Sequence, residues 1–329
     1  MIFFTKKKRK ILILWYTHGQ NLGDYYLFNT IRNYAVKWGY DVQDMDIGKP
    51  YKLIAKKAKK SDWVWFAGGG IIERWLPDVI EHFSDFYEEM DHKYYGVTGL
   101  SVGDFDYSDK KESLNAWVKN ASFFYTRDAY SAKLLNSITG ANSVIPSVDV
   151  VFAYDKFVFD HSRTESFFGI NFREMPYPDL TGNIDWNLWN KAIAASINSK
   201  IVGIPDQHDV LGCFPLDFRY KYTPQNVIKA ISKINFGLAM RYHVILISAI
   251  CGKVCIPIDY CPKVSRLAMQ LGIEDLILHY NEANKLQDMI SQYKANEEFY
   301  KNKVKENVIF LRKEADRMFE MVEKTIKER

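Results

Sequence analysis

Long apolar runs are missing from this 329-residue chain. Its hydrophobic stretches have strand or short-helix length, below the roughly 18 residues a membrane-crossing helix needs. Cysteine is scarce: Cys213, Cys251, Cys255 and Cys261 show no Cys-x-x-Cys spacing and no matching histidine cluster. That argues against a disulfide framework or a zinc site, and for free thiols in a reducing cytoplasm. Charge of one sign is lacking too, since 44 Lys and Arg against 40 Asp and Glu leave only +4, which gives no reason to expect a nucleic-acid partner. No apolar segment beyond 11–16 follows the first basic residues, so no secretory signal is expected. Long polar or Pro/Ser-rich tracts that would suggest disorder are absent as well. With 47% hydrophobic and 15% aromatic residues, the chain can fill two packed cores.

Short β-rich runs at 11–16, 42–47, 63–67, 94–100 and 122–126 read as strands. Amphipathic stretches at 24–38, 51–60, 77–90, 110–119 and 128–136 read as the helices between them. Such alternation implies a parallel, doubly wound sheet with helices on both faces. A second series has strands at 167–172, 200–204, 234–240, 253–258 and 276–278, with helices at 186–198, 224–232, 242–251 and 262–271. The stretch 154–163 breaks the periodicity and is the expected linker, which gives domains 1–158 and 159–329. From about 296 to 329 the chain reads as one charged helix, for which packing across both domains, solvation and oligomerisation all stay open.

Polar residues gather where strands end. Parallel α/β sheets bind ligands at the carboxyl ends of their strands, and helix N-termini hold anions through free N–H groups. Arg241-Tyr242-His243 lies at such a strand-to-helix junction, a candidate anion site with its own acid or base. The plain structural reading is a surface arginine beside a capping histidine. Arg173 ends the first strand of the second domain, and an arginine fork binds carboxylate or phosphate in bidentate fashion. Asp209 follows the strand at 200–204, and Tyr260 and Lys263 follow 253–258.

In the first domain, Asn21, Gly23 and Asp24 belong to the loop at 18–24 that also holds His18. This loop lacks Gly-x-Gly-x-x-Gly, and Asp24 at a helix start would repel a pyrophosphate, so a hydroxyl-bearing ligand suits it better. Gly68, Gly69 and Gly70 are expected just past the third strand, leaving room for close strand-to-helix packing or for a ligand. Arg127-Asp128 ends the strand at 122–126. Trp75, Tyr107, Trp186 and Trp189 are either glycan-stacking surfaces or ordinary packing. The basic clusters at 6–10 and 56–60 admit peripheral contact with the inner face of an anionic membrane or simple solvation.

Taken in order, Asn21-x-Gly23-Asp24, Gly68-Gly69-Gly70, Arg127-Asp128-x-x-Ser131, Ser147-Val148-Asp149, Arg241-x-His243 and Tyr260-x-x-Lys263 resemble the motif set of polysaccharide pyruvyl transferases over about 11–272. The resemblance implies a GT-B-like pair of Rossmann-type domains with an interdomain cleft. It also implies transfer of the enolpyruvyl carbons of phosphoenolpyruvate onto two hydroxyls of one sugar, as a cyclic ketal, with release of phosphate. Phosphoenolpyruvate is then a co-substrate, and no cofactor or metal is called for. By the same likeness Arg241 and His243 form the phosphoenolpyruvate site, His243 as acid/base, and Arg173 grips the same ligand. The acceptor would be a sugar or oligosaccharide of a cell-surface polysaccharide, free or lipid-linked. Tyr242 replaces the family's usual Leu, and Tyr25-Tyr26 replace smaller or acidic residues, departures that bear on the acceptor. A nucleotide-sugar glycosyltransferase and a catalytically silent glycan-binding protein are the competing readings.

Overall fold

The computed structural model describes residues 8–17, 21–157, 167–175 and 184–329. His18, the basic residues Lys6 and Lys7, and residues 158–163 of the expected linker lie outside the described residues. Contacts divide the chain into two units. Unit 1 is Met1–Gly19, Gly23–Tyr154 and Arg312–Arg329; unit 2 is Gln20–Leu22 and Asp155–Leu311. The last part of the terminal helix therefore groups with unit 1, whereas the sequence pattern assigns that helix whole to the second domain.

Unit 1 holds β1 (Lys10–Trp15), β2 (Asp41–Asp46), β3 (Trp63–Ile72), β4 (Tyr94–Val102), β5 (Phe123–Thr126) and β6 (Ile145–Pro146). They pair in parallel in the order β2-β1-β3-β4-β5-β6. Ile11 to Leu14 are wholly inaccessible, as expected of a strand covered on both faces. Between the strands run α1 (Leu22–Lys37), α2 (Tyr51–Ala58), α3 (Asp78–Glu81), α4 (Phe83–Glu89), α5 (Lys111–Lys119) and α6 (Ala129–Thr139). The single helix expected at 77–90 is broken at His82, whose φ of −105° and ψ of 40° leave the helical region. Phe66 and Trp117 meet edge to face at 5.4 Å in the core.

Unit 2 holds β7 (Phe167–Asn171), β8 (Ile201–Gly203), β9 (Phe218–Arg219), β10 (Ile234–Ala239), β11 (Val254–Asp259) and β12 (Leu278–His279). Their order is β12-β11-β10-β7-β8-β9, again parallel throughout. The helices are α7 (Trp186–Ser196), α8 (Pro224–Lys233), α9 (Tyr242–Ile250), α10 (Pro262–Leu271) and α11 (Leu286–Ala295). Thr223 caps α8 by accepting from the Asn226 N–H, and Pro224 opens that helix where a missing N–H costs nothing.

The terminal helix α12 (Glu297–Glu328) is packed. Within unit 1, Ala315, Met318, Phe319, Val322 and Ile326 form its buried stripe at helical spacing. Phe319 stacks on Tyr34 at 3.8 Å, and the Tyr34 hydroxyl donates to Asp316 at 2.6 Å. Burial of one such large apolar side chain contributes about 1.5–3 kcal/mol. Within unit 2, Tyr300, Val304 and Val308 are buried, and Asn307 donates to the Leu271 carbonyl that ends α10. Among the described residues no helix is long and apolar enough to cross a membrane.

Candidate active site

Strand order sets where each sheet can hold a ligand. In unit 2 the chain leaves β7 toward β8 and β9 on one side, then returns through β10 toward β11 and β12 on the other. A crevice opens at such a reversal, beyond the carboxyl ends of the two central strands. Asn171 ends β7 there, Arg173 lies just beyond it, and Arg241 follows β10.

Arg241 is held at three points. It occupies the N-cap position of α9 with φ −75° and ψ 123°. Its backbone N–H donates to Asn171 Oδ1 at 3.1 Å, and the fully buried Asn171 donates in turn to the Ile204 carbonyl at 3.0 Å. Its Nε donates to Asp206 Oδ2, and both side chains are largely shielded, 14% and 4% exposed. The Nη nitrogens of Arg241 have no protein partner among the described residues.

Arg173 is set by a short antiparallel bridge to Asp209, reinforced by the Glu174 N–H donating to the His208 carbonyl at 3.1 Å. Its Nε donates to the Glu174 carbonyl, and its guanidinium carbon lies 6.0 Å from the centre of the Tyr260 ring. Its Nη nitrogens likewise have no partner among the described residues. Burial, with Cys261 adding, raises the Tyr260 hydroxyl above the ordinary phenol value, while Lys263, Arg173 and Arg241 pull the other way. One buried ring thus senses three cations. Lys263 sits in the first turn of α10 and His243 in the first turn of α9. His243 is half-buried against Tyr242, rings 4.9 Å apart and edge to face, with its Nε2 shielded from solvent.

Asp209, expected to touch ligand, is also tied into the local scaffold. Its Oδ2 accepts from the Asp206 N–H at 3.1 Å, and its Oδ1 accepts from the Leu211 N–H at 3.2 Å and from Arg219 Nη2 at 3.0 Å. It also lines an open depression of about 510 Å³, together with Gln207, Arg219, Tyr220, Lys221 and Tyr222.

In unit 1 the reversal falls between β1 and β3. The triple glycine expected past the third strand is part of β3 itself. A Cβ on Gly68 would stand 2.2 Å from the Gly99 carbonyl carbon of β4, so this glycine permits backbone contact between strands. Gly69, at φ +82°, would bring a Cβ within 3.0 Å of Asp24 Oδ1; Gly70 would bring one within 2.6 Å of Glu73 Oε1. These two therefore border carboxylates at the end of the sheet. Tyr16 lies among them: burial first, then Asp24, Asp46 and Glu73, push its hydroxyl up to about 12. Gly23 and Asp24 fall in the first turn of α1, directly after Asn21.

Arg127 points inward. It pairs with Asp149 at 3.6 Å, their side chains 2% and 0% exposed, so two of the motif segments meet as an internal ion pair. Asp128 caps α6 through the Ser131 N–H at 2.8 Å, and the Ser131 hydroxyl accepts from the Val102 N–H at 3.1 Å. Trp189 is buried and donates to the Tyr280 carbonyl, Tyr107 donates to the Gly103 carbonyl, and Trp75 is 72% exposed. All four cysteines are free, and among the described residues no group of His, Cys, Asp and Glu is placed to hold a metal.

Asn171, Asp206, Tyr16 and Asp46 were not singled out by the sequence. A polar residue that closes an apolar strand, as Asn171 closes β7, is the signal that marks one of them.

A family model of polysaccharide pyruvyl transferases matches residues 18–262. No curated protein matches the chain. Among solved structures, the chain resembles an α-glucosyltransferase in complex with UDP and a 13-mer DNA containing a HMU base, with 12% identity and a TM-score of 0.57 over 98% of this chain and 100% of that one. It also resembles the UDP-GlcNAc 2-epimerase of Neisseria meningitidis bound to UDP-GlcNAc, with 11% identity and a TM-score of 0.60 over 97% and 100%. The likenesses establish a GT-B-like fold of two Rossmann-type sheets.

Proposed function

The chain belongs to the polysaccharide pyruvyl transferase family, and from that premise we propose that it forms a pyruvate ketal on a sugar from phosphoenolpyruvate, releasing phosphate. The observation that carries this reading is the pair of arginine forks at the unit 2 reversal, with Lys263 nearby and the start of α9 adding its partial positive charge. Phosphoenolpyruvate carries a carboxylate and a phosphate, and two forks with open Nη groups suit two such anions.

The chemistry then needs one proton donor and acceptor beside the ligand. A proton added to the methylene carbon leaves an oxocarbenium-like centre at the neighbouring carbon. A sugar hydroxyl attacks that centre and gives up its proton. The carbon–oxygen bond to phosphate breaks, a second hydroxyl closes the ketal, and its proton leaves on phosphate. His243 is the group assigned to move these protons, since imidazole exchanges protons near neutral pH. On this reading Asp24, Glu73 and their neighbours in unit 1 recognise acceptor hydroxyls, free or lipid-linked, because carboxylates accept hydrogen bonds from them.

Phosphate release should require both phosphoenolpyruvate and an acceptor glycan. His243→Ala should abolish that release while leaving phosphoenolpyruvate affinity within a few fold, and retained turnover contradicts the role. The structural relatives that hold UDP or UDP-GlcNAc favour a second reading, a nucleotide-sugar transferase. Protection from thermal unfolding by phosphoenolpyruvate but not by UDP-sugars separates the two.

A further inference from the structure

We propose that Asp206 is the positioning residue for Arg241: it grips the guanidinium through Nε and so aims the two Nη groups into the crevice at the β7/β10 reversal. The proposal rests on the reading that Arg241 binds the anionic donor. An arginine side chain has many rotamers, and freezing one on ligand binding costs affinity. Here the rotamer is set in advance. Asp206 is itself fixed, because its backbone N–H donates to Asp209 Oδ2 and Asp209 is tied to the Leu211 N–H and to Arg219. Asn171 fixes the other end of the residue by accepting the Arg241 N–H. The side chain and the backbone of Arg241 are thus anchored by different strands' ends, β8 and β7.

The chemistry of the contact also matters. A carboxylate on Nε leaves the Nη edge of the fork intact for a second, bidentate partner. Asp206 lies only 4% exposed, and nothing in the arrangement requires it to touch substrate. It acts through Arg241, which separates it from an acid or base.

The test compares Asp206→Ala and Asp206→Asn in the full chain. Asn keeps an oxygen that can accept from Nε, whereas Ala does not. The first readout is the Arg241 Nε–H resonance in a proton–nitrogen correlation spectrum of the unliganded protein, assigned with Arg241→Lys. Protection of this proton from solvent exchange should persist in the Asn variant and vanish in the Ala variant. The second is kinetic: Ala should raise the KM for phosphoenolpyruvate about tenfold or more, from the loss of one charge-assisted bond. Its kcat should stay within about threefold, and Asn should restore most of the KM. In the double variant with Arg241→Ala, removal of Asp206 should add little. Undiminished protection in the Ala variant overturns the proposal, and so does loss of kcat in the Asn variant, which would make Asp206 a proton-transfer group. If instead Arg241→Ala leaves phosphoenolpyruvate affinity unchanged, the functional reading fails while the resonance still decides whether Asp206 sets the arginine.

Discussion

The two sheets reverse their strand order at comparable places and line that place with opposite charge. In unit 2 the reversal presents Arg173, Arg241 and Lys263 around Tyr260. In unit 1 it presents Asp24, Asp46 and Glu73 around Tyr16. The shared topology creates a crevice in each sheet, and the side chains alone decide what enters it. A crevice lined with arginine forks selects an anion; one lined with carboxylates repels it and accepts hydrogen bonds from hydroxyls. We propose that this contrast divides the labour between donor and acceptor.

Charge reversal is the strongest way to break the contrast. Arg241→Glu should cut phosphoenolpyruvate-dependent phosphate release on the order of 1000-fold, since a like charge facing a desolvated anion costs several kcal/mol. Asp24→Lys should leave phosphoenolpyruvate affinity within about threefold, and a large loss there would end the division between the units. A second outcome sharpens the roles within unit 1. Arg127→Ala should destabilise the fold by about 3 kcal/mol in denaturant titration, because it strands the buried Asp149 carboxylate. The KM for phosphoenolpyruvate should not move, and a shift in it would return Arg127 to the binding residues. Asp24→Asn should raise the acceptor KM by up to about tenfold with donor affinity intact, as steady-state kinetics with both substrates would show.

The smallest effect is on stability in alkali. The Tyr16 hydroxyl is raised in the fold from 10.0 to about 12, so the stability it adds is complete below pH 10 and is lost as pH climbs through about 12. Between those limits the wild-type melting temperature should fall more steeply than that of Tyr16→Phe. Parallel curves would show that neither burial nor the carboxylates raise the Tyr16 hydroxyl.

Both series of strands and helices were legible in the sequence because strand and helix periods differ and long segments repeat them many times. Two-residue strands such as β6 and β9 are too short to carry any period. Gly68-Gly69-Gly70 reads as a loop by composition, yet these residues continue β3, because β4 approaches so closely that no Cβ fits at Gly68. The cationic residues of unit 2 were visible since each stands just past an apolar strand. Asp206 was not, because its importance lies in a contact with Arg241, 35 positions away, which no local pattern encodes. Arg127 shows the converse limit: placed like Arg241 in the sequence, it turns inward to Asp149 and not toward solvent.

The most direct measurement is a calorimetric titration of phosphoenolpyruvate into the wild-type protein and into Arg241→Ala, without acceptor. The wild type should bind saturably, and the variant should show a Kd about 100-fold weaker, near 2.7 kcal/mol. No binding to the wild type, or equal affinity for both proteins, would contradict donor binding at Arg241.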